Sequence, residues 1–547
     1  MNITKKIDQY RRFRVTYSKT FDKDPCNFLE QELPKVPFGV AIEGYCSILL
    51  YHYGIKTYTD NDTVRYCEIL SFSNPCLQRQ IINNFPIEDK DKKKILDKMD
   101  KSNEKGELAI VFSHQQILLL IIHIFRLCTK KVSFSDKDKE KEYFTKLTKA
   151  SLAVNDLLLP PIDENDSFQI TQQVFSFTEN ESYKILIKIT RGIIEIASES
   201  KDYEKNISDP FKKKTNISIK DWVDYGEEVQ YNISENYKEQ KNFLTKIHLK
   251  EKFARNISKD PKDLKAEICK KRDLDINNFV LFKTYPVLHH PNGEYSILDL
   301  QYLKDTFTIE GIYWRLFDGG GMGFRTYFGP IIEKYVKQQF TKNTGYHVYD
   351  EKPTEIIKST EIILNIHQGK KEKENVDMVI VKNDYTDNIR KIFFIEIKSG
   401  LVSFNTTGLY GDIKTYKCDI EKIIVKACSQ IITSIENFKS GCFNIGDFSP
   451  ENNDQYYPVI ILYKSLPIYY YLWDKYMMPQ IKEKLQDSDK SEIIDRLQII
   501  SIYELEQMFE QKLDFADSVI DKDNSEFKKQ PMINYIYDKV QKRVPNF

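Results

Sequence analysis

The sequence predicts an α/β protein in two parts, a mainly α-helical N-terminal domain and a C-terminal domain built around a mixed sheet flanked by helices. Three observations favour this fold class. Apolar residues recur at three-to-four spacing through much of the first half. Near residue 275 the pattern changes to β-rich runs separated by proline and glycine turns. Beyond that point the order helix, strands, helix, strand is typical of an α/β core.

A chain of 547 residues has room for two or three domains. We predict that 1–275 form a helical regulatory or partner-binding region, with helices in 114–128, 181–200 and 227–253. The charged run 88–107 is typical of a solvated linker or helix face. The second domain then spans 276–547, with its core in 315–440 and an α/β extension to residue 510.

Composition limits the classes of function. Lys and Arg total 81 and so do Asp and Glu, so any contact with nucleic acid must be local rather than due to bulk charge. The nine cysteines form no CxxC pair, which predicts reduced core thiols in a cytoplasmic protein. The N-terminus lacks the apolar segment of a signal peptide, and the longest apolar run, 117–125, is too short to cross a bilayer. We therefore expect no membrane association.

The elements of the second domain follow from their patterns. In FGPIIEKYV the apolar residues share one helix face and Glu333 lies at its edge. Strands are predicted in HVYDE, STEIILNI, VDMVIV, KIFFIEIKSG and YYPVIILY, and LQIISIYELEQMF is typical of a strand that passes into a helix. A strongly amphipathic helix, CDIEKIIVKACSQIITSIENF, separates KIFFIEIKSG from YYPVIILY.

Three charged residues lie on strands that are otherwise apolar on both faces. Asp377 is in VDMVIV, and Glu396 and Lys398 are in KIFFIEIKSG. Such strands normally lie at the centre of a sheet, where an unpaired charge costs several kcal/mol, so the three charges suggest a site. Strand alternation places Glu396 and Lys398 on one face, and Asp377 can lie beside them if the two strands pair as a hairpin.

These residues can perform phosphodiester hydrolysis with a divalent cation. Asp377 and Glu396, with the backbone carbonyl of Ile397 and several waters, match the preference of Mg²⁺ for few protein oxygens. Glu333 could join them from its helix. Lys398 would stabilise the negative charge that develops on the phosphate or orient the attacking water.

With Gln430 on the next helix, this ordered set resembles the PD-(D/E)xK, or restriction-endonuclease-like, nuclease superfamily. Glu333 matches the acid of the first helix, Asp377 the central acid, and Glu396-Ile397-Lys398 the ExK motif. Gln430 resembles the glutamine that many members carry. The resemblance covers roughly 315–440, and Val376 stands where the motif name has proline.

The resemblance implies a restriction-endonuclease-like core and an endonuclease that depends on Mg²⁺, with Mn²⁺ able to substitute. It implies catalytic roles for Asp377, Glu396, Lys398, Glu333 and Gln430, and metal binding by Asp377, Glu396, Ile397 and Glu333. DNA is the commoner substrate in this superfamily, although some members cut RNA or tRNA. Nucleases of this type fused to long helical regions are often effectors of bacterial anti-phage defence or restriction systems.

Two alternatives remain open from the sequence. The charges can be a buried ion-pair cluster in an unrelated α/β domain, or the chain can be a non-catalytic subunit that keeps the nuclease fold to bind nucleic acid or a partner protein. A partner subunit or a homo-oligomer is compatible with either function. Lys426, one helical turn before Gln430, is as compatible with the surface as with the site.

Overall fold

The computed structural model describes residues 11–52, 79, 82–83, 85–104, 107–110, 114–128, 139–157, 182–239, 247–270, 276–317, 322–343, 347–349, 360–364, 376–384, 389–400, 413–442, 445, 448–464, 473–485 and 491–543. They form a mixed α/β structure with two compact units. The first unit comprises the described residues within Met1–Tyr183 and Phe211–Arg315. The second comprises those within Lys184–Pro210, Leu316–Thr406 and Ile413–Phe547.

Up to residue 317 the described elements are mostly helices. In chain order they are β1 (Arg11–Arg14), α1 (Tyr17–Phe21), α2 (Pro25–Glu32), a 3₁₀ turn (Leu33–Lys35), α3 (Phe38–His52), α4 (Asp89–Glu104), β2 (Glu107–Ile110), α5 (His114–Leu127), α6 (Glu140–Leu157), α7 (Tyr183–Ser198), a π-helical turn (Glu204–Ser208), α8 (Asp209–Thr215), α9 (Ile219–Glu239), α10 (Glu251–Ile257), β3 (Ser258–Lys259), α11 (Pro261–Cys269), α12 (Ile276–Thr284), β4 (Val287–His289), β5 (Tyr295–Ile297), α13 (Leu300–Thr306) and α14 (Ile309–Phe317).

The elements after residue 317 alternate between helices and strands. They are α15 (Met322–Asn343), β6 (His347–Tyr349), β7 (Thr360–Leu364), β8 (Met378–Asp384), β9 (Ile389–Lys398), α16 (Ile413–Ile420), a π-helical turn (Glu421–Val425), α17 (Lys426–Lys439), β10 (Gln455–Leu462), a π-helical turn (Trp473–Met477), α18 (Met478–Leu485), α19 (Ser491–Asp495), β11 (Gln498–Ser501), α20 (Ile502–Glu510), α21 (Phe515–Asp523) and α22 (Met532–Arg543).

The predicted N-terminal helices are largely confirmed. α5 and α7 form in 114–128 and 181–200, and the charged run 88–107 contains α4. The prediction of one helix over 227–253 was wrong, because this stretch contains the end of α9 and the start of α10. Between them Ile247 forms an antiparallel bridge with Tyr295, a long-range pairing that apolar spacing does not reveal.

The first unit continues past the predicted boundary at 275–276. Within it β3 pairs in parallel with β4, and β4 pairs antiparallel with β5. An aromatic cluster also joins residues from the two sides of this boundary. The ring of Trp222 lies 6.1 Å from that of Phe253, before the boundary, and 5.2 Å from that of Phe307, after it. The β-rich texture near residue 275 therefore marks a small sheet inside the first unit.

The second unit contains a mixed sheet of six described strands in the order β11-β10-β9-β8-β7-β6. β8 is antiparallel to both β7 and β9, whereas β10 is parallel to β9 and to β11. The strands predicted in this part of the chain are confirmed, and β8 and β9 form the predicted antiparallel pair. β9 is central, and residues 392–397 are all buried, which explains its continuous apolar run.

Helices cover both faces of β9. Phe394 lies 6.2 Å, ring to ring, from Phe438 of α17. Its neighbour Phe393 points to the other face, where it contacts Phe515 of α21 at 6.3 Å, and Phe515 in turn contacts Phe340 of α15. α17 and α15 therefore belong to opposite layers, and the even-numbered residues of β9 face α17.

Two expectations from composition can be compared with the structure. The prediction that the cysteines are core thiols holds for Cys46, Cys128 and Cys428, and is wrong for Cys26, Cys269, Cys418 and Cys442, which are free and exposed. Among the described helices, none combines the length and the apolar character that a membrane span requires.

Candidate active site

The five residues singled out in the sequence meet near the end of β9. Glu396 and Lys398 lie in the last three residues of β9, and Asp377 directly precedes β8. Met378 pairs with Ile395, so one further step along the same register brings Asp377 opposite Glu396. Glu333 comes from α15 and Gln430 from α17. The hairpin thus places the two strand acids side by side, as the sequence predicts.

Asp377 is anchored by the backbone of the neighbouring strand. The Ile397 amide donates a 2.7 Å hydrogen bond to Asp377 Oδ2. Ile397 lies two residues beyond the last pair of the β8–β9 ladder, so a side-chain oxygen replaces the missing strand partner. Just before Asp377, the Val376 amide donates a 3.2 Å bond to Ser434 Oγ on α17. The side chain of the central acid and the backbone just before it are therefore both fixed.

Lys398 connects Glu396 to the helix that carries Gln430. Its ammonium donates to Glu396 Oε1 at 2.5 Å and to Gln430 Oε1 at 2.7 Å. Strand alternation accounts for the first contact, because residues two apart in β9 share a face. The second follows from the packing of α17 on that face. Gln430 therefore orients the lysine through a neutral acceptor.

Glu396 has one oxygen with a partner and one without. The residue is only 3% exposed, and Oε2 is buried with no hydrogen-bond partner. Buried polar atoms are almost always bonded, since a missing partner costs about 1 to 3 kcal/mol. An unsatisfied anionic oxygen next to a second carboxylate is therefore the feature of this site that most needs a ligand to explain it.

Glu333 approaches from the opposite layer. α15 comes close to the segment just after β9, because a Cβ added at Gly329 would lie 3.4 Å from Ser399 Oγ. Glu333 follows Gly329 by one helical turn on the same side of α15. It lies within electrostatic reach of Asp377, which contributes to its raised pKa. The predicted edge position of Glu333 thus brings its charge to the acids at the end of the sheet.

The pKa values of the three acids are all raised, and burial is the largest cause for each. Burial together with the charge of Asp377 raises the pKa of Glu396 to about 7, against the opposing effect of Lys398. Burial raises the pKa of Asp377, although the Ile397 amide and two lysines oppose it. The pKa of Glu333 is raised by burial and by Asp377. The site therefore favours a positive ligand or a proton.

Lys337 is a residue of the site that sequence reasoning missed. It lies on α15 one turn after Glu333. Its charge opposes the rise in the pKa of both Asp377 and Glu333. The spacing of four residues from Glu333 was the available signal, but such spacings are common in a chain that is 30% charged. Lys426, in contrast, is exposed at the start of α17, which favours a surface position for that residue.

The donor set fits a hard divalent cation held by few protein oxygens. Asp377 and Glu396 lie side by side, and Ile397 lies beyond the last pair of the β8–β9 ladder. Glu396 Oε2 is a buried anionic oxygen without a hydrogen-bond partner. Mg²⁺ is bound in this way, through one or two carboxylates and several waters. Within the described residues, no group of three or more His, Cys, Asp or Glu side chains could hold a metal ion. The binding of Mg²⁺ by Asp377, Glu396, the Ile397 carbonyl and Glu333 stays a prediction.

Comparison of the chain with protein-family models, with curated proteins and with solved structures returned no match. The assignment of function therefore depends on the chemistry of the site.

Proposed function

We propose that the second unit is a metal-dependent nuclease that hydrolyses phosphodiester bonds of nucleic acid. The observation that carries this proposal is the buried Glu396 Oε2, which has no hydrogen-bond partner and lies beside Asp377 and Lys398. Other buried carboxylate oxygens also lack a hydrogen-bond partner, but each has a lysine ammonium 2.7 to 2.9 Å away: Asp91 Oδ2, Glu506 Oε2 and Asp523 Oδ1. Among the described residues, no such ammonium lies against Glu396 Oε2. An anionic oxygen without a hydrogen-bond partner, next to a second carboxylate, is instead suited to a cation.

The order of elements also supports the proposal. The acid-bearing helix α15 is followed by β7, β8 and β9 as an antiparallel set, then by α17 and by β10 parallel to β9. This is the order in which the motif set of the PD-(D/E)xK resemblance requires its helix acid, strand acid, ExK strand and glutamine helix. A restriction-endonuclease-like core is therefore part of the proposal.

Asp377, Glu396 and the carbonyl of Ile397 would hold Mg²⁺ or Mn²⁺. When bound, such an ion supplies Lewis-acid polarisation of the scissile phosphate and activation of water. Lys398 would place its ammonium against the phosphate, where it stabilises the negative charge that develops as the bond breaks. Gln430 would hold that ammonium in place, and Glu333 and Lys337 would adjust the charge around Asp377.

The substrate class follows from chemistry and from resemblance. The site has two acids for a cation and a lysine for an anion, and this combination suits a phosphodiester. DNA is the favoured substrate because it is the commoner target of the superfamily, with RNA or tRNA as the alternative. A role as an effector in a bacterial defence or restriction system is supported by the resemblance alone. The proposed cytoplasmic location is supported by the scattered cysteines, which form no CxxC pair.

Incubation of the purified chain with plasmid, single-stranded DNA and total RNA tests the proposal. Each substrate is combined with Mg²⁺, Mn²⁺ or a chelator. We expect cleavage of at least one substrate with either metal, none with chelator, and none by Asp377→Ala or Lys398→Ala. Lys426→Ala is the matched control, because it removes an exposed lysine on α17 one turn from Gln430, and it should cut like wild type.

The controls separate the alternatives. Equal cutting by wild type and by Asp377→Ala would show contamination and contradict the proposal. Absence of cutting on all three substrates, together with specific retention of nucleic acid or of a partner protein, would favour the non-catalytic subunit.

A further inference from the structure

A buried polar network lies on the side of α15 that faces away from the acids. The Tyr335 hydroxyl donates a 2.6 Å hydrogen bond to Glu506 Oε1 on α20. Lys188 of α7 lies 2.8 Å from Glu506 Oε2. The Glu506 side chain is 0% exposed, so a full carboxylate is buried between three helices. Burying such a charge costs several kcal/mol before its partners are counted, and nothing in the proposed chemistry uses Glu506 directly.

The ring of Tyr335 is held as closely as its hydroxyl. A Cβ added at Gly192 of α7 would lie 2.5 Å from the ring, so only glycine allows α7 to approach it this closely. Burial and the neighbouring Glu506 keep the pKa of the Tyr335 phenol far above its ordinary value, so the group stays protonated and remains a hydrogen-bond donor. The Tyr335 side chain is therefore held between α7 and α20.

Helix geometry connects this network to the site. Residues two apart on an α-helix point about 200° apart, so Tyr335 and Glu333 project from nearly opposite sides of α15. Lys337, one turn after Glu333, projects near Glu333. A rotation of α15 about its axis would therefore move both charges relative to Asp377. The contacts of Tyr335 resist that rotation from the far side of the helix.

We propose that Tyr335, held by Glu506 and Lys188, is a positioning residue that fixes the rotation of α15 and thereby places Glu333 and Lys337 against the acid pair. The inference rests on the proposed function, because it assigns these charges a role in metal-dependent cleavage. It also explains why a helix encoded before residue 200 is part of the second unit. α7 supplies both the glycine against the ring and the lysine that pairs with Glu506.

Tyr335→Phe tests the inference, with Tyr327→Phe as the matched control. Tyr327 also lies on α15 and donates a hydrogen bond to α7, at Ala197 O, whereas the Glu506 contact belongs to Tyr335. We expect Tyr335→Phe to raise the Mg²⁺ concentration for half-maximal cleavage about tenfold, the scale seen when groups that orient metal ligands are removed. Tyr327→Phe should change it less than about twofold.

A double-mutant comparison distinguishes positioning from general stabilisation. In a Glu333→Gln background, Tyr335→Phe should lose part of its effect on the half-saturating Mg²⁺ concentration, because one of the two charges that it positions is already gone. Glu506→Gln should behave like Tyr335→Phe in both backgrounds. Equal effects of Tyr335→Phe and Tyr327→Phe, or an undiminished effect in the Glu333→Gln background, would overturn the inference.

Hydrogen exchange of α15 separates this inference from the proposed function. If wild type cuts no substrate, the proposed function fails, and the amides of 333–337 still report whether Tyr335 fixes the helix. We expect their exchange to accelerate about tenfold in Tyr335→Phe, because the loss of one hydrogen bond to a charged acceptor lowers the local stability by about that factor. Exchange should stay near the wild-type rate in Tyr327→Phe. Unchanged exchange in Tyr335→Phe would overturn the positioning role.

Discussion

Glu396 and Glu504 are both buried glutamates of the second unit, 3% and 4% exposed, but their oxygen atoms have different partners. Glu504 Oε2 accepts from the Ser501 amide at 2.7 Å and from Ser501 Oγ at 2.9 Å, and Oε1 accepts from the Ile533 amide at 2.9 Å. It completes the capping box of α20 and joins that helix to α22. Glu396 Oε2 has no hydrogen-bond partner.

The partners of the carboxylate oxygens, rather than burial, separate Glu396 from Glu504. Burial raises the pKa of both glutamates, so a perturbed pKa does not separate them. The hydrogen-bond inventory does, because the oxygens of Glu504 are occupied by donors that the fold itself supplies. Glu396 keeps an oxygen available for a ligand. Substitutions at Glu396 and at Glu504 test whether this difference reflects different roles.

The largest expected effect is on cleavage. Glu396→Gln should lower the rate by at least about a thousandfold, because metal and charge stabilisation of a phosphoryl transition state is worth several kcal/mol and each 1.36 kcal/mol is a factor of ten. Glu504→Gln should leave the rate per folded molecule unchanged. Initial rates normalised to the folded fraction measure both, and comparable losses in the two variants would remove the distinction.

The next effect is on the pH dependence of stability. The folded-state pKa of Glu396, about 7, lies above its ordinary value of 4.5. Its contribution to stability is therefore fully present below pH 4.5 and is lost as pH rises through 7. In the presence of chelator, wild type should lose on the order of 3 kcal/mol relative to Glu396→Gln across this window. Denaturant unfolding at several pH values measures the difference, and parallel curves would contradict the raised pKa.

Glu504→Gln should instead reduce stability at neutral pH. A glutamine presents an NH₂ group where the carboxylate accepts three hydrogen bonds, so at least one donor of Ser501 or Ile533 loses its acceptor. The expected cost is about 2 kcal/mol in the free energy of unfolding.

Glu396→Gln is the control for this prediction. At about pH 7.5, above the raised pKa of Glu396, it should unfold at no lower denaturant concentration than wild type. A stability loss in Glu396→Gln equal to that in Glu504→Gln would indicate that both glutamates are structural.

Lys337→Gln should give the smallest effect. It removes a charge that lowers the pKa of Asp377 and Glu333. A charge at this partly exposed position is worth about 1 kcal/mol, so the cleavage rate should fall about fivefold. The loss should shrink at high ionic strength. A loss as large as that of Lys398→Ala would instead identify Lys337 as a catalytic residue.

Much of the site could be predicted from local pattern. The apolar runs of β8 and β9 indicated central strands, and alternation along β9 placed Glu396 on the same face as Lys398. The edge position of Glu333 and the amphipathic helix with Gln430 could also be predicted. Each of these inferences depends on spacing within one element or on the pairing of two adjacent strands.

The remaining features depend on contacts between distant parts of the sequence. Tyr335 has the pattern of an ordinary core residue of α15, and its bond to Glu506 joins positions 171 residues apart. The small sheet of the first unit pairs β3, which precedes the predicted boundary at 275–276, with β4, which follows it. Two of the three hydrogen bonds to Glu504 come from Ser501 at the spacing of a capping box, but the third comes from the Ile533 amide, which no local pattern identifies.

Metal binding at Glu396 can be measured by calorimetric titration of Mn²⁺ into wild type, Glu396→Gln and Glu504→Gln at about pH 7.5, where Glu396 can ionise. We predict saturable binding by wild type and by folded Glu504→Gln, and loss of that binding in Glu396→Gln, because Glu396 has an oxygen available for a cation and Glu504 does not. Equal binding by all three proteins, or none by wild type, would contradict a metal site at the end of β9.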